Sequence, residues 1–261
     1  MFRRVAIFIY GVAAYGVGFS ALLYTIAFIG GYGAPTQLDD PSASLSAAQT
    51  IVAVLVNLGL VLLFGLQHSG MARPAFKRWW TQYVPTEAER STYLVATGAA
   101  LAVMFAFWQP IGGVVWSIDS TPIRYGLHAA YFAGWAIVFL ASFLIDHFDL
   151  FGLPQVWLCL RGKPYQHVPF CTPMLYSHLR HPIYAGVLLA SWSAPSMGPS
   201  RLLFALAMTA YVLKAIRWEE RDLVAHLGER YTAYQSRVAM LLPRFGQLGR
   251  SESEAQRRKA G

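Results

Sequence analysis

Charged residues are scarce in this sequence, and their scarcity narrows the class of protein. Only 13% of the 261 residues are Asp, Glu, Lys or Arg, whereas soluble domains carry about 25%. Hydrophobic residues make up 56% of the chain and fall in long blocks. A bilayer core about 30 Å thick requires roughly 20 apolar residues per helix. The composition therefore argues against a soluble domain and predicts a membrane protein.

Cysteine is also scarce. The chain holds two cysteines, Cys159 and Cys171, and both lie in one predicted loop. They could form a disulfide in principle, but a cytoplasmic loop favours free thiols. Their spacing matches no zinc site. We therefore predict no metal centre.

Long uncharged runs predict the membrane-spanning helices. The first, residues 5–30, is too long for the apolar region of a cleavable signal peptide, so we interpret it as a span. The fifth run is short for a span, and the turn signal at residues 196–200 follows it. The last two runs therefore predict a helical hairpin and a total of five or six spans. The predicted spans are residues 5–30, 48–66, 92–111, 125–145, 183–195 and 202–218.

Lys and Arg are concentrated on one side of the predicted bundle. The connections on the other side, residues 31–47, 112–124 and 196–201, hold only Arg124 and Arg201. Because basic residues favour the cytoplasmic side, both termini are predicted to be cytoplasmic. The net charge of +8 follows from this bias and from attraction to anionic lipid. Nucleic-acid binding is not needed to explain it.

The C-terminal region has a different pattern from the spans. Between Glu219 and Leu242 apolar residues recur every three or four positions among charged ones, which predicts a cytoplasmic amphipathic helix. Residues 246–261 are polar and predict a disordered tail. The predicted fold is thus an all-α, polytopic transmembrane helical bundle with a C-terminal hairpin. Residues 1–245 form its single integral-membrane domain.

Polar residues gather at the predicted cytoplasmic ends of the spans. Ionisable groups at membrane depth are costly unless they are paired or functional, so their convergence predicts a polar cavity. The antiparallel legs of the hairpin would bring Arg180 and His181 close to Glu219 and Glu220. Both signs of charge, with a helix start at Pro182, suit a zwitterionic ligand that has hydroxyls and an aromatic ring. The polar groups are Gln67–Ser69, Asp146–Asp149, Tyr176, Arg180–Tyr184 and Glu219–Asp222.

Several of these segments resemble known membrane methyltransferases. Tyr176–Gly186, the Glu219–Glu220 pair and Gly228–Tyr234 are similar to the C-terminal signature of isoprenylcysteine carboxyl methyltransferases and phospholipid N-methyltransferases. Residues 67–73, 89–93 and 147–152 narrow the resemblance to bacterial methanethiol S-methyltransferases, over roughly residues 5 to 244. The resemblance implies an inner-membrane enzyme that transfers a methyl group from S-adenosylmethionine to a small thiol. Methanethiol would become dimethyl sulfide.

The resemblance also implies roles for individual residues. The thiol is expected near His147, and Gln67 and His68 are expected to contact this substrate. The implied S-adenosylmethionine ligands are Tyr176, Leu179, Arg180, His181 and Tyr184 on one leg of the hairpin, with Glu219 and Glu220 on the other.

Methylation of a thiol calls for a base, because the thiolate is the competent nucleophile and a small alkyl thiol is mostly protonated at neutral pH. Histidine titrates in the required range. We therefore predict that His147 acts as the base or polarises a water. Asp149 or Asp146 would orient it.

Simpler interpretations remain open at this point. His147 could be an interfacial residue, and Asp146 could cap the fourth span. Glu219 and Glu220 could pair with Arg217 or Arg221, and Gln67 with His68 could hold helices together.

Other functions also remain open. A related enzyme could methylate an isoprenylcysteine carboxylate or a lipid amine. A relative of sterol reductases would bind a nicotinamide cofactor, and a non-enzymatic membrane protein would bind neither cofactor. Nothing in the sequence indicates an oligomeric state.

Overall fold

The computed structural model describes residues 1–166 and 168–243, which are mainly helical. Two short strands, β1 (Trp116–Ser117) and β2 (Ser196–Met197), pair antiparallel, and a 3-10 turn covers Thr86–Ala88. The predicted all-α class is confirmed. The helices are α1 (Phe2–Gly30), α2 (Ala47–Ala72), α3 (Pro74–Trp80), α4 (Glu89–Phe107), α5 (Thr121–Ile145), α6 (His147–Leu150), α7 (Leu153–Leu160), α8 (Leu175–His178), α9 (Pro182–Trp192), α10 (Pro199–Leu227) and α11 (Glu229–Arg237).

Five helices in the described part of the chain are long and apolar enough to cross a membrane. They are α1, α2, α4 with its preceding turn, α5 and α10. The 11 residues of α9 rise only about 16 Å, which is too short to cross a bilayer alone. The protein is therefore a polytopic integral-membrane bundle, in which α9 and α10 form the predicted hairpin.

The bundle has two chemically different ends. We call the end where α1 and α9 begin and where α2 and α5 finish the basic end, since Arg73, Arg90 and Arg180 lie there. At the opposite end, the Asp39 carboxylate accepts hydrogen bonds from the backbone N–H groups of Gly198 (2.9 Å) and Arg201 (3.0 Å). This carboxylate stabilises the start of α10, whose N–H groups have no partner within the helix.

Close approach of α5 and α9 brings the basic-end residues together. Gly134 of α5 and Gly186 of α9 face each other so tightly that a Cβ on Gly134 would lie 2.6 Å from the Gly186 carbonyl oxygen. Small residues permit such contact between membrane helices. The contact fixes the start of α9, and with it Arg180 and His181, against the end of α5.

The amphipathic segment differs from its prediction. It is not one helix from Glu219 to Leu242, because α10 continues to Leu227 and the chain then turns at Gly228, whose φ is 58°. Glycine adopts positive φ without a steric penalty, so the helix breaks there. The returning α11 packs Tyr231 and Tyr234 against Phe170 and Leu223. The predicted tail, residues 246–261, lies outside the described residues.

Candidate active site

Two cavities adjoin at the basic end, and they differ in chemistry. The first, about 430 Å³, is lined by charged and aromatic side chains from α4, α10 and α11 and from the loop before α9. The second, about 380 Å³, is lined mostly by aliphatic and aromatic side chains and lies among α1, α2, α4, α5, α9 and α10. Tyr93 and Leu150 line both. We call them the polar cavity and the apolar cavity.

Glu220 ties the wall of the polar cavity together. Its Oε1 accepts hydrogen bonds from Arg180 Nε (2.7 Å) and His181 Nε2 (2.9 Å), and its Oε2 accepts one from Gln235 Nε2 (3.0 Å). Arg180 Nη1 also donates to the backbone carbonyls of Gln235 (3.1 Å) and Val238 (2.6 Å). The predicted proximity of the two hairpin legs is confirmed. Protein groups occupy both oxygens of Glu220, so this carboxylate supports the wall.

Glu219 has a more open environment than its neighbour. Its Oε2 accepts a hydrogen bond from the Tyr184 hydroxyl at 2.9 Å, while its Oε1 lies 4.0 Å from His181 Nδ1. The side chain is 40% exposed, against 16% for Glu220. Glu219 lines the polar cavity. Its carboxylate can therefore accept hydrogen bonds from a ligand.

The end of the described chain closes one side of the polar cavity. Arg180 N donates to the Ala239 carbonyl at 2.8 Å, and the Tyr234 hydroxyl donates to the Tyr176 carbonyl. Burial raises the pKa of Tyr234 to about 12 and also raises that of Tyr176. Both phenols are consequently hydrogen-bond donors at neutral pH.

Asp149 does not pair with His147, contrary to the prediction. Its Oδ1 accepts from Gln155 Nε2 (2.9 Å) and the Tyr165 hydroxyl (2.6 Å), while its Oδ2 forms an ion pair with Arg90 Nη1 (2.5 Å). Arg90 also donates to the Asp149 carbonyl. One turn of α6 directs the carboxylate toward Arg90 at the start of α4. Asp149 thus anchors the floor of the polar cavity, which it lines.

His147 lines the apolar cavity and is only 2% exposed. Its ring stacks on Phe143, with centroids 4.3 Å apart. Ser142 Oγ, which donates to the Phe139 carbonyl, lies 2.9 Å from Nδ1, and the Tyr15 hydroxyl lies 3.1 Å from Nε2. The neutral imidazole with its proton on Nδ1 satisfies these contacts, because Ser142 then accepts and Tyr15 donates.

Burial also favours the neutral form of His147. Desolvation lowers the pKa of His147 below its ordinary value, and the charge of Asp146 partly offsets that effect. Asp146 does not contact the imidazole through a hydrogen bond. Its Oδ1 instead accepts from Asp149 N at 3.0 Å and caps α6, at a backbone φ of 136°. The suspected capping role is thus found, although the capped helix is α6 and not the fourth span.

A second histidine also lines the apolar cavity. The Tyr93 hydroxyl lies 2.8 Å from Nδ1 of His68, whose ring stacks on Phe64. Gln67 Nε2 instead contacts Met71 Sδ (3.2 Å) and Thr97 Oγ1 (3.4 Å), and Gln67 lines neither cavity. The structure therefore brings His68 into the candidate site, while Gln67 lies between helices.

The predicted cofactor residues divide between the two cavities. Tyr176, Arg180, His181 and Glu219 line the polar cavity, Tyr184 lines the apolar one, and Leu179 and Glu220 line neither. The backbone of Leu179 instead bridges to Ala239. Several polar-cavity residues had no role predicted from the sequence, although segments 89–93 and 228–234 carried part of the family resemblance. These residues are Lys77, Glu89, Arg90, Tyr93, Phe170, Tyr231 and Tyr234.

Metal chemistry has no candidate centre among residues 1–166 and 168–243, where no group of three His, Cys, Asp or Glu side chains is suited to hold an ion. What the two cavities offer is a charged, aromatic site beside a largely apolar one. Such a pair can hold a polar, charged molecule next to a small neutral one and exclude water from the boundary between them.

Two names occur among the similar proteins considered, methanethiol S-methyltransferase and Nurim. Methanethiol S-methyltransferase 2 of Bradyrhizobium diazoefficiens is 42% identical over 100% of this chain and 99% of its own length. The methanethiol S-methyltransferase of Mycobacterium tuberculosis is 44% identical over 92% of this chain and 97% of its own. Nurim of Bos taurus is 31% identical over 81% of this chain and 86% of its own. No family model matches the chain, and no solved structure does.

Proposed function

This chain belongs to the methanethiol S-methyltransferase family, and we propose that it transfers the methyl group of S-adenosylmethionine to methanethiol, giving dimethyl sulfide. The observation that carries this proposal is the meeting of a polar and an apolar cavity at Tyr93 and Leu150. A charged methyl donor and a small apolar acceptor need such adjoining environments. We further propose that residues 1–245 act as one domain in a bacterial inner membrane.

The polar cavity fits the proposed cofactor in size and in chemistry. Its 430 Å³ falls within the range of about 300–1,000 Å³ that is typical of small-molecule sites. Glu219 can accept from ribose hydroxyls or from the ammonium group, and Lys77 and Arg90 supply positive charge for the carboxylate. The aromatic side chains of Phe170 and Tyr231 offer faces for the adenine ring.

Leu179 and Glu220 have indirect roles in this proposal. Glu220 holds Arg180 and His181 in place, and Leu179 aligns the backbone through its bridge to Ala239. Tyr184 holds Glu219 through its hydroxyl from the side of the apolar cavity. Both glutamates therefore matter, but only Glu219 is proposed to touch the cofactor.

The acceptor belongs in the apolar cavity, at its end nearest Tyr93. His68 and Tyr93 would contact its sulfur there, and His147 lines the same cavity. When bound, S-adenosylmethionine supplies an electrophilic methyl group on its sulfonium sulfur. The surrounding side chains keep the thiol sulfur in line with that methyl group and exclude water. Gln67 lines neither cavity, so it is too far from the proposed acceptor position to serve as a contact for the thiol.

His147 is proposed to receive the thiol proton. Its neutral form prevails because burial lowers its pKa, so Nε2 carries the lone pair that accepts a proton. The Tyr15 hydroxyl lies 3.1 Å from Nε2 and can relay the proton. It would donate its own proton to Nε2 and take up the thiol proton in exchange. Ser142 keeps the imidazole oriented, which is the role that the sequence had assigned to Asp149 or Asp146.

The reaction is proposed to take place on the cytoplasmic side. Arg73, Arg90 and Arg180 lie at the basic end together with the polar cavity, whereas the described connections at the opposite end carry few basic residues. Basic residues favour the cytoplasmic face of a bacterial membrane. Both termini would then be cytoplasmic.

Headspace gas chromatography of the purified full-length protein tests the proposal. The protein in detergent receives S-adenosylmethionine and methanethiol, and dimethyl sulfide is measured together with S-adenosylhomocysteine. We expect equal amounts of both products from the wild type and a loss of about 10²–10⁴-fold in His147→Ala, the usual contribution of a general base. His128→Ala is the matched control, because His128 contacts Tyr32 at the opposite end of the bundle.

Other outcomes would redirect the assignment. Cofactor binding without dimethyl sulfide would move the acceptor to another class, such as an isoprenylcysteine carboxylate or a lipid amine. Absence of cofactor binding would contradict the methyltransferase proposal and leave a sterol-reductase relative or a non-enzymatic protein. Near-normal turnover in His147→Ala would remove His147 from the mechanism without affecting the reaction itself.

A further inference from the structure

The apolar cavity extends far from the point where it meets the polar cavity. Its lining on α1 runs from Gly18 to Ile29, a rise of about 16 Å. At the basic end the cavity is lined by His147. On α5 its lining extends to Trp135, near the middle of that helix. The cavity is therefore a deep channel whose inner part lies well away from the reacting groups.

Methanethiol would fill only a small part of this channel. At about 30 Å³ for each small heavy-atom group, the share of liquid volume held by one water, its carbon and sulfur take up roughly 60 Å³. The cavity measures about 380 Å³. Protein interiors hold few voids larger than a water molecule, and water is poorly held by apolar walls. The excess volume thus favours an apolar occupant.

The shape of the channel defines the chemistry of that occupant. Polar groups concentrate at the end near Tyr93, where His68 and Ser142 also lie. The inner part is lined by Phe28, Ile29 and other apolar side chains and by Thr25, whose hydroxyl donates to the Ala21 carbonyl at 2.8 Å. A ligand with one polar group and a single apolar tail matches this distribution. Its polar atom must reach the polar cavity beside Tyr93 for methyl transfer.

We propose that the acceptors of this enzyme include straight-chain alkanethiols with up to about ten carbons, whose tails lie along α1 in the inner part of the apolar cavity. The chain length follows from the cavity volume, which accommodates about a dozen heavy atoms. This inference rests on the proposed function and widens its substrate class. The sulfur stays where methanethiol would place it, and only the tail differs.

The chemistry is the same for every member of the series. The thiol sulfur forms a bond to the methyl carbon, and the bond from that carbon to the sulfonium sulfur breaks. The bonding electron pair stays on the leaving sulfur, which becomes the thioether of S-adenosylhomocysteine. The thiol proton goes to the protein base and then to water, so the products are an alkyl methyl sulfide, S-adenosylhomocysteine and a proton.

Turnover of a thiol series by the full-length protein in lipid nanodiscs tests the proposal. Methanethiol, butanethiol, hexanethiol and octanethiol are supplied with S-adenosylmethionine, and the methyl sulfides are measured by gas chromatography. We expect the KM, expressed as free aqueous thiol, to fall about fourfold per methylene, which corresponds to about 0.8 kcal/mol for each buried methylene. Octyl methyl sulfide should inhibit methanethiol methylation competitively.

Two variants of α1 locate the tail. Thr25 lines the inner part of the cavity, so Thr25→Phe fills it with a ring. This variant should lower the ratio of hexanethiol to methanethiol kcat/KM by at least about tenfold, the effect of losing two buried methylenes. Leu23 is exposed on the lipid-facing side of the same helix. The matched control Leu23→Phe should keep the wild-type ratio.

Each contrary result has a definite meaning. Turnover of methanethiol without turnover of butanethiol and longer thiols overturns the inference and leaves the proposed function intact. Equal hexanethiol ratios in Thr25→Phe and Leu23→Phe also overturn it, because the tail would then lie elsewhere. If Thr25→Phe fails to fold, absence of competitive inhibition by octyl methyl sulfide in the wild type overturns it. Failure with methanethiol itself contradicts the proposed function.

Discussion

The two cavities at the basic end are built in opposite ways. Charged pairs hold the polar cavity in shape: Arg180 binds Glu220, and Arg90 binds Asp149. The apolar cavity is shaped by packing, and its histidines lie against aromatic rings, His147 on Phe143 and His68 on Phe64. A charged ligand requires fixed charges in its site, whereas a neutral acceptor requires a dry, fitted space.

The difference between the two cavities also predicts which substitutions affect stability and which affect turnover. In the polar cavity one carboxylate, Glu220, is saturated by protein groups, and its neighbour Glu219 is left for a ligand. In the apolar cavity both histidines contact neutral groups: His147 lies beside Ser142 and Tyr15, and His68 lies beside Tyr93. Substitutions in the first region should therefore act on folding and cofactor affinity, and substitutions near the second on turnover.

The largest effect is expected from Arg180→Leu. This change leaves the Glu220 carboxylate partly buried without its guanidinium partner, and breaking a buried pair costs about 3–5 kcal/mol. We expect a markedly lower unfolding temperature in detergent and no measurable cofactor binding. Differential scanning fluorimetry and isothermal titration calorimetry with S-adenosylmethionine measure the two effects.

Arg73→Leu is the matched control for that substitution. Its ion pair with Asp222 is more exposed, with side-chain exposures of 28% and 37%, so its loss should cost less than about 1 kcal/mol. Equal destabilisation by the two variants would show that Arg180 does not hold the polar cavity in the way described.

The second-largest effect is expected from Glu219→Gln, which tests whether Glu219 and Glu220 have different roles. Glu219→Gln removes a charge that is proposed to accept from the cofactor, and such charge-assisted hydrogen bonds contribute about 1.5–3 kcal/mol. The KM for S-adenosylmethionine should rise about 10- to 100-fold, while the KM for methanethiol changes little. Initial-rate kinetics with each substrate varied in turn measure both constants.

Glu220→Gln should give the complementary result. It weakens the contacts to Arg180 and His181, so it should lower the unfolding temperature more than Glu219→Gln does. If Glu219→Gln leaves the cofactor KM unchanged, Glu219 is not a cofactor ligand.

These residues also illustrate how far the sequence alone could predict the site. The hairpin and the proximity of Arg180 to Glu220 follow from hydrophobic periodicity and chain direction, and both were predictable. The division of labour between Glu219 and Glu220 was not predictable, because it depends on Gln235 and Val238. Those residues reach the site only because the chain turns at Gly228.

The predicted pairing of Asp149 with His147 was wrong for a related reason. Asp149 lies two residues from His147, and this short spacing suggested a pair. One helical turn instead directs Asp149 toward Arg90, which is distant in sequence. Tyr93 was overlooked because a tyrosine in an apolar span resembles an interfacial residue, and only the position of α4 brings it to both cavities.

The third effect concerns the boundary between the cavities. Tyr93→Phe keeps the ring and removes the hydroxyl that contacts His68. A neutral hydrogen bond contributes about 0.5–1.5 kcal/mol, so kcat should fall about three- to tenfold. The KM for S-adenosylmethionine should stay near its wild-type value. Stopped-assay measurement of dimethyl sulfide at saturating cofactor tests this expectation.

Tyr83→Phe provides a matched control, because Tyr83 is an exposed residue following α3. If Tyr93→Phe raised the cofactor KM and left kcat unchanged, Tyr93 would belong to the polar cavity alone. The boundary would then need a different residue.

The smallest effect is a shift in pH dependence that links Asp146 to His147. Burial lowers the pKa of His147 below its ordinary value of about 6.5, so the imidazole stays neutral at neutral pH. The rate should therefore hold steady near neutrality and fall only as the pH drops below 6.5. Asp146 partly raises that pKa, so Asp146→Asn should move the acid limb of kcat to still lower pH.

Asparagine at position 146 keeps an oxygen that can cap α6 and tolerates the positive φ there, so the variant changes charge more than shape. Profiles of kcat against pH at saturating substrates measure the limb, and ionisation of the thiol adds only on the alkaline side. Asp40→Asn, in the loop at the opposite end, should leave the limb in place. An acid limb above 6.5, or one that Asp146→Asn shifts upward, would mean that a group other than His147 accepts the proton. Because His68 is the second imidazole in the apolar cavity, it would then be the next candidate.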